Sequence, residues 1–176
     1  MSSCVQLAQN SIENKLMGIV CEFYIVKDKI IEDFLANPIE FEDYFTENYI
    51  NVFGQFHNEE ENMFYCDKAW DIAQFLFQQN SASLDELLGK AIENTEWKSY
   101  IKSKEAKRIN EILSQITLHQ IEKAYDKTKI QKSDIYNAEK FTKDENWDYI
   151  LEHIKTFFKA FKKATESDAG IIISRG

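Results

Sequence analysis

The segment Gly18-Ile-Val-Cys-Glu-Phe-Tyr-Ile-Val26 decides the fold class of this 176-residue chain. It is rich in β-branched and aromatic residues and short for a helix, and this combination predicts a β-strand. Its two faces carry Ile19, Cys21, Phe23 and Ile25 on one side and Val20, Glu22, Tyr24 and Val26 on the other. Because both faces are mostly apolar, we expect this strand in the middle of a sheet or beneath covering helices.

The remainder of the chain is predicted to be largely helical. It contains one Pro and five Gly, and this low usage excludes a collagen-like, linker-like or turn-dense all-β chain. Apolar residues recur at helical spacing, most regularly from Trp147 to Ala164. Alternating residues at 97–102 predict a short strand, and the apolar run at 169–174 predicts a closing strand. We therefore predict a helix-rich α+β fold with a small sheet formed by the N- and C-terminal strands plus a short middle strand, packed by several helices.

Capping residues mark the starts of several predicted helices. Asp28 is expected to cap a helix that Pro38 ends, and Asp67 to cap one that runs to about Gln79. Aromatic residues at helical spacing predict another helix at 40–53. The capping-box patterns are Ser83-x-x-Glu86, Thr117-x-x-Gln120 and Thr142-x-x-Glu145. The side chains expected in the core are Trp70, Phe75, Ile150, Ile154, Phe157 and Phe161.

Charge is distributed unevenly along the sequence. The net charge is −9, so a generic affinity for nucleic acid or for an anionic membrane is not expected. Ten acidic residues and no Lys or Arg lie between Glu32 and Asp67, whereas fifteen basic and ten acidic residues lie between Lys98 and Lys163. Either the fold brings these stretches together, or it leaves an acidic face that is simply solvated or that receives a basic partner. The residues predicted to form a partner-binding face are Glu40, Glu42, Asp43, Glu47, Glu59, Glu60 and Glu61.

The sequence lacks the signatures of a metal, cofactor or disulfide protein. Its cysteines, Cys4, Cys21 and Cys66, form no C-x-x-C pair, and none of its three histidines has a His or Cys three or four residues further on. P-loop, dinucleotide-binding, nucleophile-elbow and H-E-x-x-H motifs do not occur. No apolar run approaches the roughly 20 residues that span a bilayer, and residues 1–16 lack the features of a secretory signal. We therefore expect a cytoplasmic protein without a metal or cofactor.

One polar and aromatic cluster, Asp67-Lys68-Ala69-Trp70-Asp71, has two interpretations. In the structural interpretation, Asp67 caps a helix, Lys68 pairs with Asp71 on the surface, and Trp70 anchors the helix in the core. In the functional interpretation, Lys68 and Trp70 border a pocket near the strand ends, where Tyr136 supplies a hydroxyl group. The candidate pocket thus consists of Asp67, Lys68, Trp70, Asp71 and Tyr136.

The order of these motifs resembles the YfbM-like family, a bacterial family of small domains with no assigned function. The matching segments are Met17–Val26, which begins with Met-Gly; Met63–Phe75, which contains D-K-x-W; Trp97–Ile112; Asp134–Tyr136; and Trp147–Ser174. The resemblance implies one mixed α and β domain at 17–176, preceded by residues 1–16 as an N-terminal extension. It implies no known substrate, cofactor or metal.

The chain departs from the family pattern at three places. Gln74 stands where many relatives have His, and Asn137 replaces a usual Pro. The glycine-rich middle of many relatives is here the glycine-poor segment Ser83–Asn94, which is predicted to be helical. Because the missing His was the best candidate for a shared acid or base, no catalytic role is carried over.

These observations favour a non-catalytic binding protein whose acidic face engages a basic protein. A specific form is an immunity-like protein that occludes the active site of a basic toxin. The alternative is an enzyme of unfamiliar type that acts on a small polar molecule, with carboxylates and Tyr136 as acid and base. A third interpretation is a structural subunit of a homo-oligomer, and the sequence does not set the oligomeric state.

Overall fold

The computed structural model describes residues 18–38, 62–143 and 146–176, which form a mixed α and β structure as predicted. The strands in these ranges are β1 (Cys21–Val26), β2 (Met63–Tyr65), β3 (Lys90–Ala91), β4 (Lys98–Ile101) and β5 (Gly170–Arg175). The helices are α1 (Asp28–Ala36), α2 (Trp70–Asn80), α3 (Ser103–Leu113), α4 (Leu118–Ala124), α5 (Lys127–Lys132), α6 (Ala138–Phe141) and α7 (Trp147–Glu166). The predicted helix at 40–53, the predicted acidic face at 40–61 and residues 1–16 lie outside the described residues.

The five strands form one antiparallel sheet in the order β2-β1-β5-β4-β3. The N-terminal strand β1 and the C-terminal strand β5 pair along their whole lengths, from Cys21 opposite Arg175 to Val26 opposite Gly170. This pairing and the middle strand β4 confirm the predicted sheet. The short edge strands β2 and β3 were not predicted, since two or three residues are too few to show a period.

Both faces of β1 are covered, as its sequence indicates. Phe23 and Ile25 belong to the main core with Ile171 and Ile173 of β5. Helices α3 and α7 cover this face, and α2 packs against α7. On the opposite face, Tyr24, Val26 and Ile172 pack with Ile31 and Phe34 of α1. The sheet is therefore the middle layer between two apolar clusters of unequal size.

Helix α7 supplies the centre of the main core. Its residues Ile150, Ile154, Phe157 and Phe161 are fully buried, as predicted. The Phe157 ring lies 4.9 Å from the Phe23 ring and 5.6 Å from the Phe77 ring, measured between centroids. On α2, Trp70 is buried but Phe75 is only partly buried, because the buried stripe of this helix runs through Ile72, Ala73, Leu76 and Phe77.

One of the three capping boxes, at Ser83, does not open a helix, and the box at Thr142 includes Glu145, which lies outside the described residues. Thr117 and Gln120 form the predicted reciprocal box at the start of α4. Ser83 instead lies within a 3₁₀ turn, Ala82–Leu84, which is followed by strand β3. The chain turns back against β4 at Gly89, which has a φ of +74°. Helix α7 begins after Asn146, and the Thr142 hydroxyl donates to the carbonyl of Glu139.

Asp28 caps a helix other than the one predicted. Helix α1 starts at Asp28 as expected, but its N-cap residue is Lys27 and no side chain caps it. The Asp28 carboxylate instead accepts hydrogen bonds from the backbone N–H and the hydroxyl of Ser103, each at 2.8 Å. Ser103 is the first residue of α3, so Asp28 joins the starts of two helices.

None of the helices in the described ranges is both long enough and apolar enough to cross a bilayer.

Candidate functional site

The cluster predicted from D-K-x-W-D lies where β2 passes into α2. The Cys66 N–H donates to the carbonyl of Cys21 at 2.8 Å, which holds the end of β2 beside the start of β1. A 3₁₀ turn, Asp67–Ala69, then leads directly into α2 at Trp70. The cluster is thus placed at the edge of the sheet where β1 begins and β5 ends.

Asp67 does not cap its helix, contrary to the prediction. It adopts a positive φ of +40° and is the first residue of the 3₁₀ turn, with Cys66 in the N-cap position. Its carboxylate accepts hydrogen bonds from two hydroxyls, that of Tyr149 at 2.6 Å and that of Tyr65 at 3.2 Å. Asp67 therefore links the turn to α7 and to β2.

The tyrosines around Asp67 are held in their protonated form. Burial raises the pKa of Tyr65 to about 12, with the neighbouring Asp67 charge acting in the same direction. Burial also raises the pKa of Tyr149, and its hydrogen bond to Asp67 adds to the shift. Both hydroxyls consequently act as hydrogen-bond donors to a carboxylate at neutral pH.

Lys68 and Tyr136 meet beside Gly18. A Cβ atom built on Gly18 would lie 2.5 Å from Cε of Lys68 and 2.6 Å from the Tyr136 hydroxyl oxygen, so both side chains pack against this glycine. The Tyr136 hydroxyl accepts a hydrogen bond from the N–H of Ile19 at 2.9 Å. The Tyr136 hydroxyl therefore holds the start of β1.

Trp70 and Asp71 also contact the segments that contain Ile19 and Tyr136. The indole N–H of Trp70 donates to the carbonyl of Ile19 at 3.1 Å, and its ring stacks on the Tyr136 ring at 6.2 Å. The Asp71 carboxylate accepts from the backbone N–H of Tyr136 at 2.8 Å. The predicted salt bridge between Lys68 and Asp71 does not form, although the structure describes both residues, because Asp71 turns to this backbone donor.

Burial raises the pKa of Asp71, and two charged neighbours act in opposite directions. Asp134 raises this pKa further, whereas the hydrogen bond from Tyr136 and the positive charge of Arg175 lower it. Arg175 therefore belongs to the electrostatic surroundings of the candidate pocket.

Arg175 and Trp97 are the residues that sequence reasoning missed. The guanidinium carbon of Arg175 lies 5.6 Å from the centre of the Trp70 ring and 6.0 Å from that of the Trp97 ring. The backbone N–H of Arg175 donates to the Trp97 carbonyl at 3.0 Å. The sequence carries no local signal for this arrangement, because the antiparallel pairing of β4 with β5 brings these residues together.

His153 was also missed, although its spacing offers a signal. It lies one turn after Tyr149 on α7, and the two rings are in edge-to-face contact at 4.5 Å. Its Nδ1 atom is buried and has no hydrogen-bond partner. Burial lowers the pKa of His153 despite the nearby Asp67 charge. Tyr149, His153 and Asp67 therefore form a second polar group beside the candidate pocket.

The described cysteines and clefts add no reactive centre to this cluster. Cys21 and Cys66 are fully buried, and burial raises the pKa of both thiols, which keeps them protonated. No group of three His, Cys, Asp or Glu residues suited to a metal ion occurs in the described ranges. Four surface clefts in the described part of the chain lie elsewhere; the largest of them, about 580 Å³, adjoins α6. The candidate pocket is a hydrogen-bonded cluster beside the Arg175 cation, which lies over two indole rings.

The sheet order, the covering helices and the D-K-x-W turn define a helix-rich α+β domain. A family model described as "Domain of unknown function (DUF1877)" matches residues 17–174, and the chain belongs to this family. Among solved structures, it is similar to the crystal structure of YfbM from Escherichia coli, a protein of unknown function. The TM-score is 0.62 at 11% sequence identity, over 89% of this chain and 99% of that chain. A search of curated proteins found no match. The predicted resemblance to the YfbM-like family is therefore confirmed at the level of family and fold.

Proposed function

We propose that this protein is a non-catalytic, cytoplasmic binding protein that engages a basic protein through the acidic segment 40–61. One observation carries the proposal: this segment has seven carboxylates and no Lys or Arg. The specific form that we favour is an immunity-like protein that covers the active site of a basic toxin. Complementary charge would speed the encounter of the two proteins and make it sensitive to salt.

The charges of the described residues support an unneutralised acidic segment. Glu32 and Asp33, which begin the stretch of ten acidic residues, already have partners. Glu32 pairs with Lys102 at 3.0 Å, and Asp33 pairs with Lys29. Two basic residues of the later stretch pair locally, Arg108 with Glu105 and Lys162 with Glu166. Cations engaged by their sequence neighbours contribute less to neutralising the acidic segment.

The hydrogen bonds of the candidate pocket support a role without catalysis. The carboxylates of Asp67 and Asp71 and the hydroxyl of Tyr136 all hold parts of the backbone or tyrosine hydroxyls in place. A catalytic acid or base has to exchange a proton with a substrate, which requires a geometry that leaves it within reach. The two carboxylates and the Tyr136 hydroxyl instead stabilise the edge of the sheet.

Capture of binding partners from the native host tests the proposal. The tagged full-length chain is compared with a variant in which Glu42, Asp43 and Glu47 are replaced by Lys, and bound proteins are identified by mass spectrometry. A second variant replaces the exposed residues Glu93, Glu96 and Glu111 by Lys, and thus changes the net charge equally. We expect a basic protein to bind the wild type and the control but not the first variant, with an association rate that falls as salt is added. Equal capture by both variants, or capture of acidic proteins only, would falsify the proposal.

A second candidate function is an enzyme acting on a small polar molecule. The observation that favours it is the positive φ of Asp67, since strained residues cluster at functional sites. His153 lies against the ring of Tyr149, which is hydrogen-bonded to this residue, and its imidazole could exchange protons. We expect wild-type protein, but not the isosteric variant Asp67→Asn, to consume a metabolite from a host extract if this alternative is correct. Unchanged metabolite profiles with both proteins would reject it.

A further inference from the structure

We propose that Arg175, together with Trp70 and Trp97, binds a small organic carboxylate that carries an apolar or aromatic group. This site includes no residue of the acidic segment 40–61 and does not depend on the proposed function.

The position of the Arg175 guanidinium is set by rigid elements. Arg175 is the last residue of β5, and its backbone lies opposite Cys21 of β1 and donates to the Trp97 carbonyl at 3.0 Å. Its guanidinium carbon lies over two indole rings, 5.6 Å from the centre of the Trp70 ring and 6.0 Å from that of the Trp97 ring. Contacts of a cation with aromatic faces stabilise the charge and fix the plane of the guanidinium. A receptor group held in this way loses little conformational entropy on binding.

The Arg175 cation has no carboxylate partner within the described part of the chain. No salt bridge or side-chain hydrogen bond of Arg175 occurs there, although Arg108, the other arginine, is salt-bridged to Glu105. Of the three guanidinium nitrogens, only Nε is buried without a partner. The two terminal nitrogens therefore remain for a ligand, and two parallel N–H donors match a carboxylate in bidentate geometry. A charge-assisted pair of this kind would also offset the cost of the partly buried cation.

The neighbouring charges select the class of anion. Asp71 is close enough to Arg175 for the two charges to interact, and the exposed Asp134 lies near Asp71. These negative groups repel a dianion such as phosphate more strongly than a carboxylate with a single charge. We therefore assign the site to monocarboxylates.

Trp97 supplies a surface for the apolar part of the ligand. Its side chain is 54% exposed, which is unusual for so large an apolar residue. Its backbone is held at φ +59°, a conformation that disfavours side chains other than glycine. Strained backbone that presents an exposed aromatic ring is a feature of binding sites. An aromatic ligand could stack on this ring while its carboxylate binds Arg175.

Calorimetric titration of the full chain with benzoate and indole-3-acetate tests the assignment, with tryptophan fluorescence as a second readout. Benzamide, a neutral analogue of benzoate, and inorganic phosphate are the comparison ligands. We expect the carboxylates to bind with a dissociation constant of about 1 mM or lower, at least about tenfold more tightly than either comparison ligand. Tighter binding of phosphate would overturn the choice of a carboxylate, and no binding of either carboxylate would overturn the site.

Variants separate this site from general charge attraction. Arg175→Gln and Arg175→Lys should weaken benzoate binding by about tenfold or more, because Lys lacks the planar fork. Trp97→Ala changes an exposed residue and should weaken indole-3-acetate binding while leaving the fold intact. Arg108→Gln removes the same charge elsewhere and should leave the affinity unchanged. Equal losses in Arg175→Gln and Arg108→Gln, or full affinity in Trp97→Ala, would contradict the proposed site.

Discussion

Two aspartates that occur at predicted helix starts bind donors far away in the sequence. Asp28 binds Ser103 and Asp67 binds Tyr149, across 75 and 82 residues respectively. Local sequence correctly indicates that each Asp precedes a helical segment. It cannot indicate which N–H or O–H group is nearest, because tertiary packing places stronger or better-aligned donors beside the carboxylate.

At the residue scale, His153 should make stability depend on pH. Its ordinary pKa is 6.5, and burial lowers the pKa in the folded state. Below pH 6.5 the unfolded chain therefore binds more protons than the folded chain, so the free energy of unfolding decreases as the pH falls. The contribution of this one group to the slope is limited to about 1.4 kcal/mol per pH unit.

Urea unfolding at several pH values between 5 and 7 measures this slope. We expect His153→Gln to have a shallower pH dependence than the wild type. The exposed residue His119 provides the control, since His119→Gln should keep the wild-type slope. Identical slopes for all three proteins would show that burial of His153 does not perturb its protonation.

Gly170 should not tolerate even one added methyl group. A Cβ atom at this position would lie 2.5 Å from the Ile101 carbonyl oxygen and 2.5 Å from Cδ1 of Ile31. Because the carbonyl belongs to the neighbouring strand β4, relief requires the sheet to shift, and we expect Gly170→Ala to cost about 1–3 kcal/mol. Gly176→Ala is the matched control, as its added Cβ meets nothing within 4 Å. Equal stabilities of the two variants in thermal unfolding would disprove this close approach.

At the scale of elements, Asp28 connects α1 to α3. Asp28→Ala removes both hydrogen bonds to Ser103, and the loss of such a cap typically costs about 1–2 kcal/mol. Asp33→Ala, on the same helix, removes an exposed ion pair with Lys29 and should cost clearly less. Chemical denaturation of both variants measures the difference. A loss for Asp28→Ala no greater than that for Asp33→Ala would contradict the role of Asp28 as a cap.

Shortening a side chain of the long helix α7 should reduce stability strongly on one face of the helix only. Phe157 is fully buried between Phe23 and Phe77, so Phe157→Ala should cost about 3–5 kcal/mol. The adjacent residue Phe158 is only partly buried, and Phe158→Ala should cost clearly less. Denaturation curves compare the two variants. A loss below about 1 kcal/mol for Phe157→Ala would contradict the packing of α7 on the sheet.

At the scale of the whole molecule, residues 1–16 are predicted to lie outside the cooperative fold. They show no strong periodicity in sequence, and the family match begins at residue 17. Deletion of these residues should change Tm by less than about 2 °C, which corresponds to less than about 1 kcal/mol for a chain of this size. Calorimetry of the full and shortened chains measures the shift. A large decrease would show that the segment packs as an integral element.

Local sequence determined the fold class because periodicity and composition are properties of neighbouring residues. The segment 18–26 indicated a strand covered on both faces, and the repeat after Trp147 indicated the buried stripe of α7, since each pattern reports which side chains avoid water. The D-K-x-W-D residues of the candidate pocket lie together because they are consecutive. Tyr136 is distant from them in the sequence, and it was predicted to lie beside them.

Tertiary structure alone decided the features that depend on pairing between distant segments. Strands β2 and β3 exist because a neighbouring strand offers hydrogen-bond partners, not because their few residues favour a strand. Arg175 reaches Trp97 through the register of β5 with β4, and a shift of one residue would turn its side chain to the other face of the sheet. Register depends on the contacts of the whole sheet, so the cation over two indole rings could be found only in the folded chain.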